Sequence, residues 1–290
     1  MCSNTVRCSI FESNMTSVKE PVNGQEGELT PEESADPSGK ARAKEGMAGL
    51  AKGLAIIEAF GASTARMTVS DAAHLADLSR PAARRCLLTL VDLGYLAHDG
   101  KFFTPLPRML RLGSAYLSTS SLTQIAQPLL TSARDELQES VSLAVLDEGY
   151  SVFIARAEAV RIVSTGVKLG GRLPAYCSAT GRVLLSGLSE EEIRRHLDAT
   201  PMKHLTTRTL ATTETVLRAI AAAAQNGYAI SNEELEIGMS AMAVPVRNRS
   251  GAIEAAVSVS VFSGRVSVET LEEKFLPVLK AVAARMQRAL

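Results

Sequence analysis

The stretch Leu78 to Leu90, LSRPAARRCLLTL, limits the possible folds more than any other part of the chain. Its periodicity is helical. At about 100° per residue Ala83, Leu87, Leu90 and Val91 share one face, flanked by Cys86, and this predicts a core-facing helix. Ser79 is the expected N-cap, and Pro81 falls in the first turn, where a missing N–H removes nothing the helix uses. Yet Arg80, Arg84 and Arg85 crowd the N-terminal turns, the end at which the backbone dipole favours negative charge. A polyanion would offset that concentration of positive charge.

The flanking sequence supplies a context. GLAKGLAIIEAFG predicts a first helix whose apolar stripe is Leu50, Leu54 and Ile57, widened by Ile56 and Phe60, with Gly61 ending it. MTVSDAAHLADL predicts a shorter second helix with Ser70 as N-cap, Asp71 in the first turn and a face of Ala72, Ala73, Leu75 and Ala76. After Gly94, YLAHDGKFFTP places the turn pair Asp99-Gly100 between two strand-like runs, a hairpin signal. Three short helices followed by a hairpin make a winged helix-turn-helix over residues 46–105. In that architecture the third helix enters the major groove of DNA with its N-terminal residues at the base edges. Ala82, Arg85 and Thr89 occupy the arc opposite the core, where a small Ala82 lets the backbone approach closely. Ser79, Arg80 and Arg85 then reach bases or phosphates, Arg84 clamps a phosphate, and Lys101 in the wing meets the flanking backbone. Lys52 is either a further phosphate contact or an ordinary surface lysine.

The charge distribution agrees with this reading. The formal net charge of zero conceals a basic excess over residues 46–112, with eight Lys/Arg against five Asp/Glu. Residues 1–45 hold five against eight, and residues 113–290 hold 18 of each. Residues 1–45, rich in Gly, Pro, Ser and Glu without sustained periodicity, are expected to be a disordered tail, with the folded part beginning near Met47. No apolar run reaches the ~18 residues of a membrane span and no signal-peptide pattern opens the chain, so a cytoplasmic location is expected. Cys2, Cys8, Cys86 and Cys177 form no CxxC, and the histidines no HExxH, so neither a metal nor a cofactor is expected.

RMLRLGSAYLSTSSL reads as a connecting helix, over residues 106–120, and the composition then changes to mixed α and β over residues 121–290. A helix is expected at TQIAQPLLTSARDELQES. VSLAVL and YSVFIARA form a hairpin about Asp147-Glu148-Gly149, and RIVSTGV is a third strand. Helices follow near 179–188, 190–197 and 213–226, then strands at GYAIS, AMAVPVRN and GAIEAAVSVSVF, and a last helix from Val268. Antiparallel strands with grouped helices indicate an α+β module, so the whole is a two-domain α+β chain. Within the second module, GGRLPAYCSATGRVLLSGL joins a glycine-rich loop to a helix start. Ser178, Ala179, Thr180 and Gly181 either hold a carboxylate through backbone N–H groups or merely cap the helix. Tyr176 and Cys177 either line such a pocket or are ordinary buried residues.

The enzymatic alternative is weak. GMSAM lacks the second glycine of a nucleophile elbow and starts a strand, nothing brings Cys177 to His196 or His204, and there is no Walker or Rossmann fingerprint. A purely structural nucleoid-binding protein, a further alternative, would have no need of the large second module.

Four collinear segments, LAKGLAIIEAF, LSRPAARRCLLTLVDLGYL, RLPAYCSATGRVLLS and NEELEIGMSAMAVPV, resemble the IclR family of bacterial transcription regulators across residues 47–290, especially its branch of the PcaR, PcaU and PobR type. The resemblance implies a winged helix-turn-helix, a connecting helix and a C-terminal GAF-like effector-binding domain. It also implies a homodimer or homotetramer on a palindromic operator, a response to an aromatic acid or its ring-cleavage product, and control of aromatic-compound catabolism. By the same resemblance the effector binds around the Ser178 loop, Ile162, Val163 and Thr165 supply an opposing wall, and Ser231 to Ala241, including Ser240, closes the far side. The chain departs from the branch at Gly238-Met239-Ser240-Ala241, where GLRS is usual, and at Ala179-Thr180-Gly181, where Ser-Met-Gly is usual. Pro81 and Cys86 likewise replace the more usual alanine and aromatic residue in the third helix.

Overall fold

The computed structural model describes residues 46–61, 64–160 and 167–290. The expected disorder of residues 1–45 lies outside the described residues, as does all but Val167 of the strand expected at RIVSTGV.

The head contains α1 (Ala48–Glu58), α2 (Val69–Leu75) and α3 (Arg80–Asp92), followed by an antiparallel hairpin of β1 (Leu96–His98) and β2 (Phe103–Pro105). Its core joins Ile56, Met67, Ala72, Ala83, Leu87, Leu90, Leu96 and Phe103. The face expected for α3 is therefore the one it buries, and Leu88, which breaks that periodicity, packs partly buried against the same cluster. Two expectations need correction. The N-cap of α2 is Thr68 and not Ser70: Thr68 Oγ1 accepts from the Asp71 amide while the Asp71 carboxylate accepts from the Thr68 amide at 2.8 Å, a reciprocal box that starts the helix two residues earlier. On α1 the small core takes Ile56, whereas Leu50 and Leu54 stay 61% and 45% exposed.

A single 3-10 turn (Pro107–Met109) leads into α4 (Leu110–Thr119), which buries none of its residues and exposes Leu110, Leu112 and Tyr116. Next comes α5 (Ser121–Leu137), capped by the Ser120 hydroxyl and interrupted by Pro128.

The C-terminal part is built on β3 (Ser140–Asp147), β4 (Tyr150–Ala157), β5 (Arg172–Pro174), β6 (Ala229–Asn232), β7 (Met239–Arg247) and β8 (Ile253–Phe262). They form one antiparallel sheet in the order β5-β4-β3-β8-β7-β6. Helices α6 (Ala179–Leu185), α7 (Glu190–Asp198) and α8 (Thr213–Asn226) lie between β5 and β6. After β8 the chain closes with α9 (Val268–Thr270), a π-turn (Leu271–Phe275) and α10 (Leu276–Ala289). This is the expected α+β module, with β5 as an added strand where a loop was expected.

Alternation within the strands separates two layers. Met242, Val244, Val257 and Val259 turn to one face, against Leu130 and Ala133 of α5 and Leu279 and Met286 of α10. Ala243 and Ala256 turn to the other, against Val183 and Leu184 of α6 and Ala223 of α8. Small alanines on this second face let α6 sit close to the sheet, beside a row of serines that helix packing leaves uncovered.

Candidate functional site

On the head, α3 has Ser79 as its N-cap with no side-chain capping bond, so the hydroxyl remains available. Ser79, Arg80, Arg84, Arg85 and Thr89 are exposed, and the Thr89 hydroxyl donates to Arg85 O at 3.0 Å. Among the described residues, none of the three arginines has an acidic partner, and the first turn holds no acidic residue. Ala82 contradicts its expected place. It is 7% exposed, because α3 turns both Ala82 and Ala83 inward, so it is not on the face left to a partner. Lys52 is half-buried and Lys101 exposed.

In the wing, Asp99 Oδ1 accepts from the amides of Lys101 and Phe102 at 2.9 and 2.7 Å, while Gly100 takes φ +99°. These bonds hold the Asp99 carboxyl below its ordinary pKa. A residue not singled out in the sequence joins the wing. Arg66 stacks on the Phe102 ring at 4.3 Å, and Lys101 lies over the same ring at 5.1 Å. Arg66 precedes α2 in an irregular segment. The paired bonds between Met67 and Phe103, at 3.1 and 2.8 Å, bring it to the hairpin, and no local pattern encodes that pairing.

In the C-terminal domain a cavity of about 720 Å³ opens against the serine-bearing face of the sheet. Ser178, Ala179 and Thr180 at the start of α6 line it, with Ser231 and Ala241 of β6 and β7 and Ser258 and Ser260 of β8. Phe153, Leu173, Pro174 and Leu235 add apolar wall, so hydroxyls alternate with apolar surface, as ligand pockets require. Lys168 stands exposed in the wall, and Arg172 beside it is 3.2 Å from Asp147. Neither cation belongs to a recognisable motif: Lys168 sits in a glycine-rich loop and Arg172 opens β5.

The hydroxyls are organised. Ser178 Oγ caps α6 by accepting from the Gly181 amide at 3.1 Å, so the capping reading of this residue is realised. Thr180 Oγ1 donates to buried Ser151 Oγ at 2.8 Å, and Ser151 Oγ lies 3.4 Å from Ser178 Oγ. Ser231 Oγ donates to Cys177 O at 2.7 Å, and Ser240 Oγ to Asn232 Oδ1 at 2.8 Å at the pocket's edge. Each hydroxyl keeps acceptor capacity beyond these bonds.

Other expected lining residues sit elsewhere. Tyr176 and Cys177 are buried behind the wall in a separate cluster with Leu185, Ile193 and Val216. The Tyr176 hydroxyl donates to Lys203 O at 2.8 Å and accepts from Lys203 N at 2.9 Å, which holds the ring away from the cavity. Gly181 is also outside the lining. A Cβ there would come within 2.2 Å of Ala175 Cα, so its role is to let α6 touch the preceding loop. Ile162, Val163 and Thr165 lie outside the described residues. Burial pushes the Cys177 thiol up to about 12, so it stays protonated at neutral pH and has no nucleophilic character. Among the described residues no group of His, Cys, Asp and Glu forms a metal site, and no helix is long and apolar enough to cross a membrane.

A winged head with uncompensated arginines on its third helix, joined to an α+β domain with a pocket, defines a DNA-binding transcriptional regulator. Residues 49–100 match the IclR helix-turn-helix domain and residues 114–288 match the bacterial transcriptional regulator IclR C-terminal domain. The chain belongs to the IclR family. It is 37% identical to the Pca regulon regulatory protein of Pseudomonas putida, over 93% of this chain and 97% of that protein. It is 38% identical to the p-hydroxybenzoate hydroxylase transcriptional activator of Acinetobacter baylyi, over 85% and 93% respectively. An IclR homolog from Microbacterium hydrocarbonoxydans solved with 4-hydroxybenzoate superposes with TM-score 0.68 at 27% identity, covering 83% of this chain and 98% of that one. The inducer-binding domain of a PobR double mutant from Acinetobacter, solved with 3-hydroxybenzoic acid, gives TM-score 0.56 at 34% identity, covering 59% and all of that chain.

Proposed function

We propose that this chain is a cytoplasmic regulator of aromatic-compound catabolism, which reads an operator through α3 and takes a monocyclic hydroxylated aromatic acid into its pocket. The observation that carries this reading is the lining of the cavity of about 720 Å³: apolar walls for a ring, a row of serine and threonine hydroxyls for polar substituents, and Lys168 in the wall for a carboxylate. The names of the relatives and the ligands of the two solved homologues support the same class of effector. At the DNA end Arg85, Arg80 and Ser79 address base edges or phosphates, Arg84 a phosphate, and Lys101 with Arg66 the backbone flanking the wing.

A homo-oligomer on a palindromic operator is part of the proposal. The exposed apolar side chains of α1 and α4, Leu50, Leu54, Leu110, Leu112 and Tyr116, supply a surface for a second copy, and two heads would then meet half-sites about 34 Å apart or at a multiple. Effector binding shifts the balance between head arrangements in proportion to its differential affinity for them. Titration calorimetry of the full chain with 4-hydroxybenzoate and 3-hydroxybenzoate, alongside operator binding with and without each acid, tests this. A reproducible heat with a change in operator affinity or transcription is expected. Absence of binding to every hydroxybenzoate tried would overturn the effector class.

A further inference from the structure

Beneath the pocket, behind its lining, Arg182 of α6 meets Glu234 of the β6–β7 loop. Their side chains are 4% and 8% exposed. The pairing is bidentate: Nη1 donates to Oε1 at 2.6 Å and Nη2 to Oε2. The remaining polar atoms of the pair reach backbone. Arg182 Nε donates to Tyr176 O at 3.0 Å and Nη1 also to Ile230 O at 3.4 Å, while Glu234 Oε2 accepts from Leu210 N at 3.2 Å. Around the pair, Thr209 Oγ1 donates to Glu234 O at 2.6 Å and Thr206 Oγ1 to Glu233 O at 2.7 Å.

Three chain segments are thereby tied to one ion pair, and each contributes a wall of the cavity. Residues 174–182 bring Pro174, Ser178, Ala179 and Thr180, the loop after α7 brings Leu205, and the segment after β6 brings Leu235. Stability alone is a poor reason for such a pair. Desolvating two charges costs about what their attraction returns, and apolar residues of the same volume often do as well. What an apolar pair does not supply is direction, the fixed distances from one guanidinium and one carboxylate to three backbones.

We propose that Arg182 and Glu234 are positioning residues, a clamp that sets the separation of the pocket walls, so that effector affinity depends on the pair and operator affinity does not. This rests on the cavity being the effector site.

The test uses the full chain, the variant Glu234→Gln and the double variant Arg182→Met/Glu234→Leu, the second included because a lone buried Arg182 destabilises. Binding of 4-hydroxybenzoate is expected to weaken about tenfold or more in both, because misplaced walls lose contacts throughout the pocket. Operator affinity without acid is expected to hold within about twofold. The double variant is expected to recover the thermal midpoint but not the effector affinity. Hydrogen exchange supplies a readout that needs no ligand. Amides of residues 203–210 and 231–238 should exchange about tenfold faster or more in the variants, with β3 and β8 unchanged. Wild-type effector affinity in the double variant, or unchanged exchange in both loops, would overturn the clamp. If the wild-type chain binds no hydroxybenzoate, the effector class fails, and the exchange experiment still decides the clamp.

Discussion

In the winged head, Arg80, Arg84 and Arg85 stand exposed without an acidic partner among the described residues, whereas arginines of the C-terminal domain are engaged internally. Arg182 is buried against Glu234, Arg265 reaches the buried carboxylate of Glu139, and Arg208 lies 3.1 Å from Glu233. The two regions thus use one residue type for opposite ends. A cation held at a helix start against the dipole, with nothing inside the protein to answer it, is placed for an external polyanion. A cation matched by a carboxylate and backbone carbonyls is placed to fix geometry.

The largest effect is expected from removing the outward charge as a set. Replacing Arg80, Arg84 and Arg85 together by alanine is expected to lower operator affinity by about three orders of magnitude, since each contact to a base edge or phosphate is worth about 1–3 kcal/mol. The thermal midpoint should remain at its wild-type value, because none of these side chains has an internal acidic partner. Fluorescence anisotropy against the operator, paired with a melting curve, checks both halves. A large fall in the midpoint would show that the arginines serve the fold.

An inward change should give the reverse outcome. Gly181→Ala forces a Cβ to within 2.2 Å of the Ala175 backbone, and backbone cannot swing aside as a flexible side chain would. The expected cost is about 1–3 kcal/mol of stability, confined to the C-terminal domain, with operator binding by the head retained at low temperature. Denaturant unfolding followed by amide exchange would locate the loss. A variant as stable as wild type would mean that α6 and its preceding loop separate freely, contrary to their close approach.

Within the outward set, base and phosphate contacts should respond differently to substitution. Arg84→Ala is expected to weaken all duplexes alike and to reduce the salt dependence of log affinity by about one unit. Arg85→Ala is expected to weaken operator more than an unrelated duplex. Equal behaviour of the two variants across sequence and salt would remove the distinction between the clamp on the backbone and the reader of bases.

How much of this could be read from the sequence also divides between the regions. The core face of α3, its Ser79 cap and the Asp99-Gly100 hairpin are local, set by a 3.6-residue period and by turn chemistry within a few positions, and they were legible. Ala82 was assigned to the wrong side because the arc between core and solvent is too narrow for periodicity to divide two adjacent alanines. In the C-terminal domain β3, β4, β6, β7 and β8 were legible and β5 was not, and the pocket was only partly so. Ser178, Thr180, Ser231 and Ala241 were anticipated, whereas Ser258 and Ser260 were not, since a serine on an alternating strand carries no sign of whether helix or cavity faces it. For Tyr176 and Cys177 the sequence left pocket lining and ordinary burial both open. A tether of 2.8 Å from the Tyr176 hydroxyl to Lys203 O, 27 residues away, decides for burial, and no spacing rule contains it. The Arg182–Glu234 pair spans 52 positions and was invisible for the same reason.

The smallest expected effect concerns how the head holds its own helices. Thr68 and Asp71 start α2 through their reciprocal bonds, and these bonds, from the Thr68 amide first and its hydroxyl second, hold the Asp71 carboxyl below the ordinary value of 3.8. A carboxyl whose pKa is depressed by folding stabilises the folded head above the unfolded value and loses that contribution as pH falls through the folded one. Thr68→Ala is therefore expected to lower the melting midpoint of the head slightly at neutral pH, with the difference from wild type shrinking once the pH drops below about 4. Melting curves of both proteins from neutral to acid pH measure it. A difference that stays constant across that range would mean that the Thr68 hydroxyl, and not the Asp71 charge, accounts for the whole cap.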